Sequence, residues 1–253
     1  MNLIIPRDIS QNEPNKADSA ELKAAFSTRS GGVSEYPFDS LNLGLSTNDS
    51  AERVRENRRR VATALGFQVS NLAIAGQVHG HRVRRVREGG LYSGFDGLVT
   101  DQKNVLLCIS AADCAAVLIW DREAGVVGAC HAGWRGAVGG VVGNTIEIMK
   151  SCGATTDPLH AWVSPCLGVE NFEVGEEVAS RFPTECVVRR SEWPKPHLDL
   201  GGFVRRQMIQ QGISEQQIEI SGRCSMQEED VFFSHRGQNG LTGRMMGMIG
   251  TRI

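Results

Sequence analysis

Three residues stand out for chemistry: His79 in Gln77-Val78-His79-Gly80, Cys114 closing Ala111-Ala112-Asp113-Cys114, and His131 opening His131-Ala132-Gly133-Trp134-Arg135-Gly136. Each falls where an apolar run ends or breaks, so each is expected at a strand end or in a turn. The intervals of 35 residues from His79 to Cys114 and 17 from Cys114 to His131 match no zinc finger or ribbon. Three ligands from three separate segments, with a fourth place left for water or substrate, is instead the arrangement of a catalytic metal. The same residue types would serve a hydrolase with Cys114 as nucleophile, His131 or His79 as base and Asp113 as orienter. They would also serve a module that binds metal or nucleotide without turnover, or simple core histidines beside an inert cysteine. Spacing alone leaves these readings open.

The elements that must position these residues are visible as patterns. From Ala51 to Leu65, Val54, Val61 and Leu65 recur at helical spacing, Asp49 and Glu52 resemble a capping box, and Gly66 ends the run. The arginines of this helix (53, 55, 58, 59 and 60) read as a solvated face, with anion binding as the alternative. Apolar runs at Leu98–Thr100, Val105–Ile109, Ala116–Trp120, Val126–Cys130, Ala161–Val163, Val187–Val188 and Val231–Phe233 are mostly continuous, which predicts strands covered on both faces. Further helices are predicted at Ala137–Cys152, Glu173–Phe182 and Phe203–Gln211. Residues 6–24 are polar and read as surface loop. Strands and helices mix along the chain without a linker or repeat. This predicts one α/β domain over residues 1–253, with α+β as the alternative, built on a mixed β-sheet core flanked by helices, with residues 1–25 at its periphery.

Composition sets the limits. The 253 residues are 41% hydrophobic, enough to close a core without disulfides. With 27 basic against 29 acidic residues the net charge is −2, which argues against nucleic acid as a partner. The apolar residues at 3–5 stop at Pro6-Arg7-Asp8, short of a secretory signal, and the longest strongly apolar stretch, Ala115–Trp120, is far below a membrane span. Seven cysteines, odd in number and without tight pairs, read as reduced thiols of a cytoplasmic protein with no membrane partner. No Gly-Lys dipeptide occurs and no GxGxxG follows a strand, so phosphate loops of the Walker and dinucleotide types are absent.

Taken in order, the motifs resemble those of one known family, which includes the bacterial YfiH and YlmD proteins and the human laccase-domain protein FAMIN. The shared segments begin with Thr28 to Ser34, Ser40 to Gly44, Asn57-Arg58-Arg59, Gln77 to Gly80 and Asp96 to Thr100. They continue with Ala112 to Cys114, His131 to Gly136, Pro165 to Gly168, Phe172 to Gly175, Phe233-Ser234 and Gly243 to Met245. The resemblance implies a single α/β domain in which His79, Cys114 and His131 are both the metal ligands and the catalytic centre, with Zn2+ as cofactor and copper as the less favoured alternative. It implies phosphorolysis of adenosine, inosine and methylthioadenosine, with adenosine deamination beside it. Other members are linked to peptidoglycan editing, and an older description makes the family multicopper polyphenol oxidases, or laccases. This chain departs at Ala116, where the family often has Pro, at Ser164, where Gly is usual, and at His235 and Gly237, which replace a Tyr and an Arg.

Each implied reaction makes its own demands. Phosphorolysis must hold phosphate against C1′ of the nucleoside while the purine leaves, so cationic forks are needed. Arg29 and Arg135, with Asn42 in a matching turn, are the expected phosphate or ribose contacts. A helix-terminal salt bridge for Arg135 and a turn-forming side chain for Asn42 are the competing roles. Deamination needs a proton shuttle, for which Asp113 is the candidate, although it could equally cap a turn or orient the site, and the H-x-E…P-C-x-x-C signature is absent. A laccase needs a trinuclear copper cluster, and beyond the trio only His81, His160, His197 and His235 remain. An amidase acting on a cytoplasmic wall precursor through Cys114 and a histidine is the alternative enzyme.

Overall fold

The computed structural model describes residues 1–11 and 20–253. The expected surface loop at 6–24 lies outside them between residues 12 and 19. The chain opens with β1 (Leu3–Ile4), α1 (Arg7–Gln11) and β2 (Glu21–Ser27), then forms α2 (Ala51–Ala64). Seven strands follow: β3 (Leu72–Gly76), β4 (Val83–Arg85), β5 (Gly90–Ser93), β6 (Gly97–Thr100), β7 (Val105–Ala111), β8 (Ala115–Asp121) and β9 (Val126–Ala132). After α3 (Trp134–Val138), α4 (Val141–Ser151) and β10 (Leu159–Val163) come α5 (Glu176–Ala179), a ribbon of β11 (Val187–Val188) and β12 (His197–Leu198), α6 (Leu200–Gln210), β13 (Ile218–Ile220) and β14 (Met245–Arg252). The main strands make two six-stranded mixed sheets, ordered β1-β2-β14-β7-β3-β5 and β13-β10-β8-β9-β6-β4. The mixed α/β fold expected from the pattern is therefore present, with two sheets at its centre. No helix of the described residues is long and apolar enough to cross a membrane.

The continuous apolar runs have a simple cause, which is that both faces of these strands are buried. On β7, Leu107, Ile109 and Ala111 pack between the sheets while Leu106 and Cys108 pack under α2. On β8, Ala116, Leu118 and Trp120 pack between the sheets while Ala115, Val117 and Ile119 join the layer that contains α4 and α6. Four layers result, in the order α2, first sheet, second sheet, remaining helices. The strand β14 escaped the sequence reading because Met and Gly dominate it, and neither marks a strand. Its glycine is required by the sheet-to-sheet approach, since a Cβ on Gly247 would lie 2.6 Å from the Cβ of Ala116.

Several expected elements are corrected. Val231–Phe233 is a buried turn, not a strand; Phe232 and Phe233 plug the space between the sheets, and the Val231 carbonyl accepts from the Arg29 N–H. The helix expected at Ala137–Cys152 is divided at Gly139-Gly140, where Gly140 takes a left-handed φ of 86°. The helix at Glu173–Phe182 shrinks to the single turn α5, because Glu173 pairs with His197 as an isolated bridge. The Asp49–Glu52 capping box does not form, since the Asp49 carboxylate accepts from Ser34 Oγ and Asn42 Nδ2 instead. Residues 21–25, expected at the periphery, belong to β2, with Ala24 and Ala25 fully buried.

Two departures from the family pattern explain each other. The backbone N–H of Ala116 donates to the fully buried Ser164 Oγ at 2.9 Å. A proline at 116 would have no hydrogen to place, and a glycine at 164 no oxygen to receive one, so acceptor and donor enter together. Ser164→Gly alone should therefore destabilise the protein by about 1–3 kcal/mol, the cost of an unsatisfied buried N–H. Adding Ala116→Pro should recover most of that loss in equilibrium denaturation; simple additivity of the two substitutions would refute the pairing.

Candidate metal centre

The three candidate ligands meet where the chain passes from one sheet to the other. β3 ends at Gly76, and the Gln77 amide extends its pairing by bonding both the N–H and the carbonyl of Ser110 on β7. That anchors the loop carrying His79 to the first sheet. Cys114 lies in the link from β7 to β8, just before the register that sets Ala115 opposite Ala132 and Ala116 opposite His131. The same register brings Cys114 to Gly133, where a Cβ would stand 2.9 Å from the Cys114 Sγ, so glycine at that position is a steric requirement. The ligand atoms of His79, Cys114 and His131 all lie within 4.8 Å of one another.

Asp96, immediately before β6, fixes two of the three ligands. Its fully buried carboxylate accepts the backbone N–H groups of Val78 (3.0 Å), His79 (3.0 Å) and Gly80 (2.8 Å) and contacts His131 Nδ1 at 3.0 Å. An acceptor-only carboxylate places the hydrogen on Nδ1 and turns Nε2 of His131 toward the trio. His79 holds a left-handed φ of 58° within this cradle, a backbone cost that the three N–H bonds offset. Asp113, the orienter expected from sequence, does something else. Its carboxylate accepts from Ser225 Oγ, Ser234 Oγ and the Arg236 N–H, and so it shapes the turn leading into Cys114.

Without metal the trio is a charge pair. Burial alone would raise the Cys114 thiol, but the His131 charge and hydrogen bonds from His131 and His79 outweigh it and bring the thiol down to about 6. Burial likewise works against the His131 imidazolium, and the Cys114 charge with hydrogen bonds to Asp96 and Cys114 raises it to about 9. Asp96 is held below the usual carboxylate range, its burial being outweighed by His131 and by the loop N–H groups. A thiolate and two imidazoles, one braced by a carboxylate, fit zinc or copper. No methionine lines the cavity above the trio, so the weak axial thioether of a blue-copper centre is not offered there. Elsewhere His160 stacks on Trp120 and His197 on Trp193. Among the described residues no second group of three could hold a metal.

A cavity of about 700 Å³ opens over the trio, lined also by Gly44, Leu45, Arg58, Leu91, Trp134, Arg135, Phe172, His235, Arg236 and Arg244. Of the expected substrate contacts it receives only Arg135, whose guanidinium lies over the Trp134 ring at 4.3 Å. Arg29 is not brought to this cavity. Its guanidinium donates to Asp39 and to the Glu229 carbonyl beside a separate recess of about 250 Å³. Asn42 is wholly buried, and its Oδ1 accepts the N–H groups of Gly44 and Arg244, so it organises the wall from behind. Arg58, Arg244, His235 and Arg236 were missed as site residues. For Arg58 a signal existed: it occupies the apolar stripe between Val54 and Val61, and it alone of the five helix arginines is buried, at 8% exposure.

Comparison with known proteins identifies the family and the fold. The family model described as multi-copper polyphenol oxidoreductase laccase matches residues 23–252. A Deinococcus radiodurans protein named purine nucleoside phosphorylase is 42% identical over 239 residues, covering 93% of this chain and 91% of the relative. The crystal structure of YlmD from Geobacillus stearothermophilus superposes with a TM-score of 0.87 at 32% identity, covering 95% of this chain and 99% of that one. A Bacillus licheniformis hypothetical protein, YfiH, gives a TM-score of 0.87 at 29% identity over 98% and 96% of the two chains.

Two measurements test the centre itself. Metal analysis should find one ion per chain, lost in Cys114→Ala and His131→Ala, while Asp96→Asn should weaken metal affinity about 10–100-fold. In metal-free protein the thiolate absorption of Cys114 should vanish on acidification with a midpoint near 6. Asp96→Asn removes a group that stabilises the His131 cation and should move that midpoint upward, toward an ordinary thiol. An unmoved midpoint would separate Asp96 from the pair.

Proposed function

The chain belongs to the multi-copper polyphenol oxidoreductase laccase family, and from that premise we propose that it is a cytoplasmic purine nucleoside phosphorylase whose metal is zinc, acting on adenosine, inosine and methylthioadenosine. The observation that carries this reading is that one cavity, of a size suited to a nucleoside with phosphate, holds both the His79–Cys114–His131 trio and four arginines, 58, 135, 236 and 244. A laccase would have no use for such a cationic wall. The name carried by the Deinococcus relative supports the same reading.

Bound zinc would supply a fixed positive centre that polarises an oxygen of the substrate. The protein supplies the rest. His79, Cys114 and His131 hold the metal, and Asp96 keeps the imidazoles in place. The cationic wall offers charge to neutralise phosphate and hold it for attack at C1′. Trp134 and Phe172 offer apolar faces to the purine. As the glycosidic bond breaks, the base must take up a proton. Of the imidazoles on the cavity wall only His235 lies outside the trio, and it is our candidate donor. Adenosine deamination is a side activity of the same cavity. A second reading, a thiol amidase acting on a wall precursor, is favoured by one observation, the Cys114–His131–Asp96 alignment, with Asp96 in the place expected for Asp113.

Chromatography of adenosine and inosine incubated with zinc-loaded protein distinguishes these. Free base should appear only with phosphate present and Cys114 intact; inosine formed from adenosine without phosphate would mark deamination. Turnover that survives chelation but not Cys114→Ala would favour the amidase chemistry, and no product from any nucleoside would end the phosphorylase reading. His235→Gln should lower kcat about 100-fold with little change in the KM for phosphate.

A further inference from the structure

Several arginines of this protein are paired with carboxylates. Arg53, Arg59 and Arg60 on α2 each meet a glutamate, and Arg29, although largely covered, meets Asp39. Arg58, buried, and Arg244, half-buried, stand on the cavity wall, yet among the described residues neither has a carboxylate within ion-pair distance. Arg58 donates its Nε hydrogen to the Leu43 carbonyl at 2.8 Å, and Arg244 donates from Nη1 to the Thr242 and Gly243 carbonyls. These are neutral acceptors, and no hydrogen bond from the other guanidinium nitrogens to the described protein groups is formed. Burial works against both charges and lowers their pKa.

Nearby groups do not supply the missing counter-charge. Cys108, the thiol closest in electrostatic terms to Arg58, is pushed up to about 12 by burial and stays neutral. Asp113 and Cys114 act on Arg244 only through space: the Asp113 carboxylate is occupied by two serines and the Arg236 N–H, and the Cys114 thiolate is engaged by His131 and His79. One short segment meets both arginines, the first at its guanidinium and the second at its backbone and stem. Leu43 receives Arg58, the Leu43 N–H donates to the Arg244 carbonyl, and the Arg244 stem crosses Gly44, where a Cβ would meet its Cγ at 2.6 Å. A buried and a half-buried cation on one cavity wall, with free N–H groups and no ion-pair partner, are costly unless a ligand completes them.

We propose that Arg58 and Arg244 form an oxyanion subsite for a phosphoryl group at the wall of the metal cavity. The identification of that group as the phosphorolytic co-substrate rests on the function proposed above; the subsite itself rests on the two uncompensated charges. A phosphoryl dianion accepts from both guanidiniums at once, which an apolar or cationic ligand cannot do. Arg135 and Arg236, by contrast, are exposed and already engaged, one over Trp134 and the other with the Asn171 and Glu173 carbonyls.

Calorimetric titration of inorganic phosphate into zinc-loaded wild type, Arg58→Gln and Arg244→Gln tests this, with zinc content and circular dichroism verifying that each variant is folded. Phosphate should bind wild type and bind each variant about 10–100-fold more weakly, with Arg58→Lys in between. Equal binding to wild type and variants overturns the subsite. Inosine monophosphate serves as the second probe: arginine-dependent binding of the nucleotide without binding of free phosphate keeps the subsite and assigns the phosphoryl group to a nucleotide. No binding of either probe to wild type overturns it. Phosphate-dependent base release with an unchanged KM for phosphate in Arg58→Gln would overturn the subsite and leave phosphorolysis standing. Arginine-dependent phosphate binding in a protein that releases no base would do the reverse.

Discussion

A carboxylate removed from water must be satisfied on every side, and Asp96 is satisfied by the groups that carry the site. Three N–H donors from the Val78–Gly80 loop and one imidazole from β9 converge on two oxygens with no exposure to solvent. Because one bond partner belongs to a loop of the first sheet and the other to a strand of the second, the same carboxylate joins the two sheets. The left-handed backbone at His79, the tautomer of His131 and the low thiol value of Cys114 all follow from it. Charge placed once, in a dry position, thus sets geometry and protonation together.

The packing explains why such precision is available. The crossing from β7 to β8 is short, and both strands are buried on both faces, so the link that carries Cys114 has little freedom. Asp113, in a left-handed conformation and bonded to two serines and a backbone N–H, closes that link from the other side. Small residues allow the close approaches. Glycine at 133 leaves the Sγ its space, and glycine at 247 lets the sheets meet over Ala116. Ala116 and Ser164 form a matched donor and acceptor beside the crossing.

Electrostatically the cavity has a negative end and a positive end. The Cys114 thiolate and Asp96 lie at one end, while Arg58 and Arg244 bond only neutral carbonyls and have no carboxylate within ion-pair distance among the described residues. A site whose residues could hold a metal, with arginines on the same cavity wall, is suited to moving a group between neutral and charged oxygen or nitrogen centres. It is poorly suited to passing electrons through several coppers, for which the remaining histidines are too scattered.

Local chemistry made part of this readable from the chain alone. The ligand trio announces itself because histidine and cysteine beside glycine, at the ends of apolar runs, have few structural reasons to be there; the doubly buried strands announce themselves by continuous apolar residues. The helical periodicity of α2 is equally local, and Arg58 on its apolar stripe is a local anomaly that carries information. What the sequence could not decide depends on contacts between residues far apart in the chain. Asp96, not Asp113, stands behind His131, because β6 and β9 pair in a register that no short-range pattern encodes. Asn42 and Arg29 look like ligand contacts but are placed away from the metal cavity's open space, one buried and bonded to Gly44 and Arg244, the other bonded to Asp39 and Glu229. A polar side chain in a loop carries the same signature whether it faces a ligand or a backbone, and only the tertiary structure, by deciding which wall it stands in, separates the two.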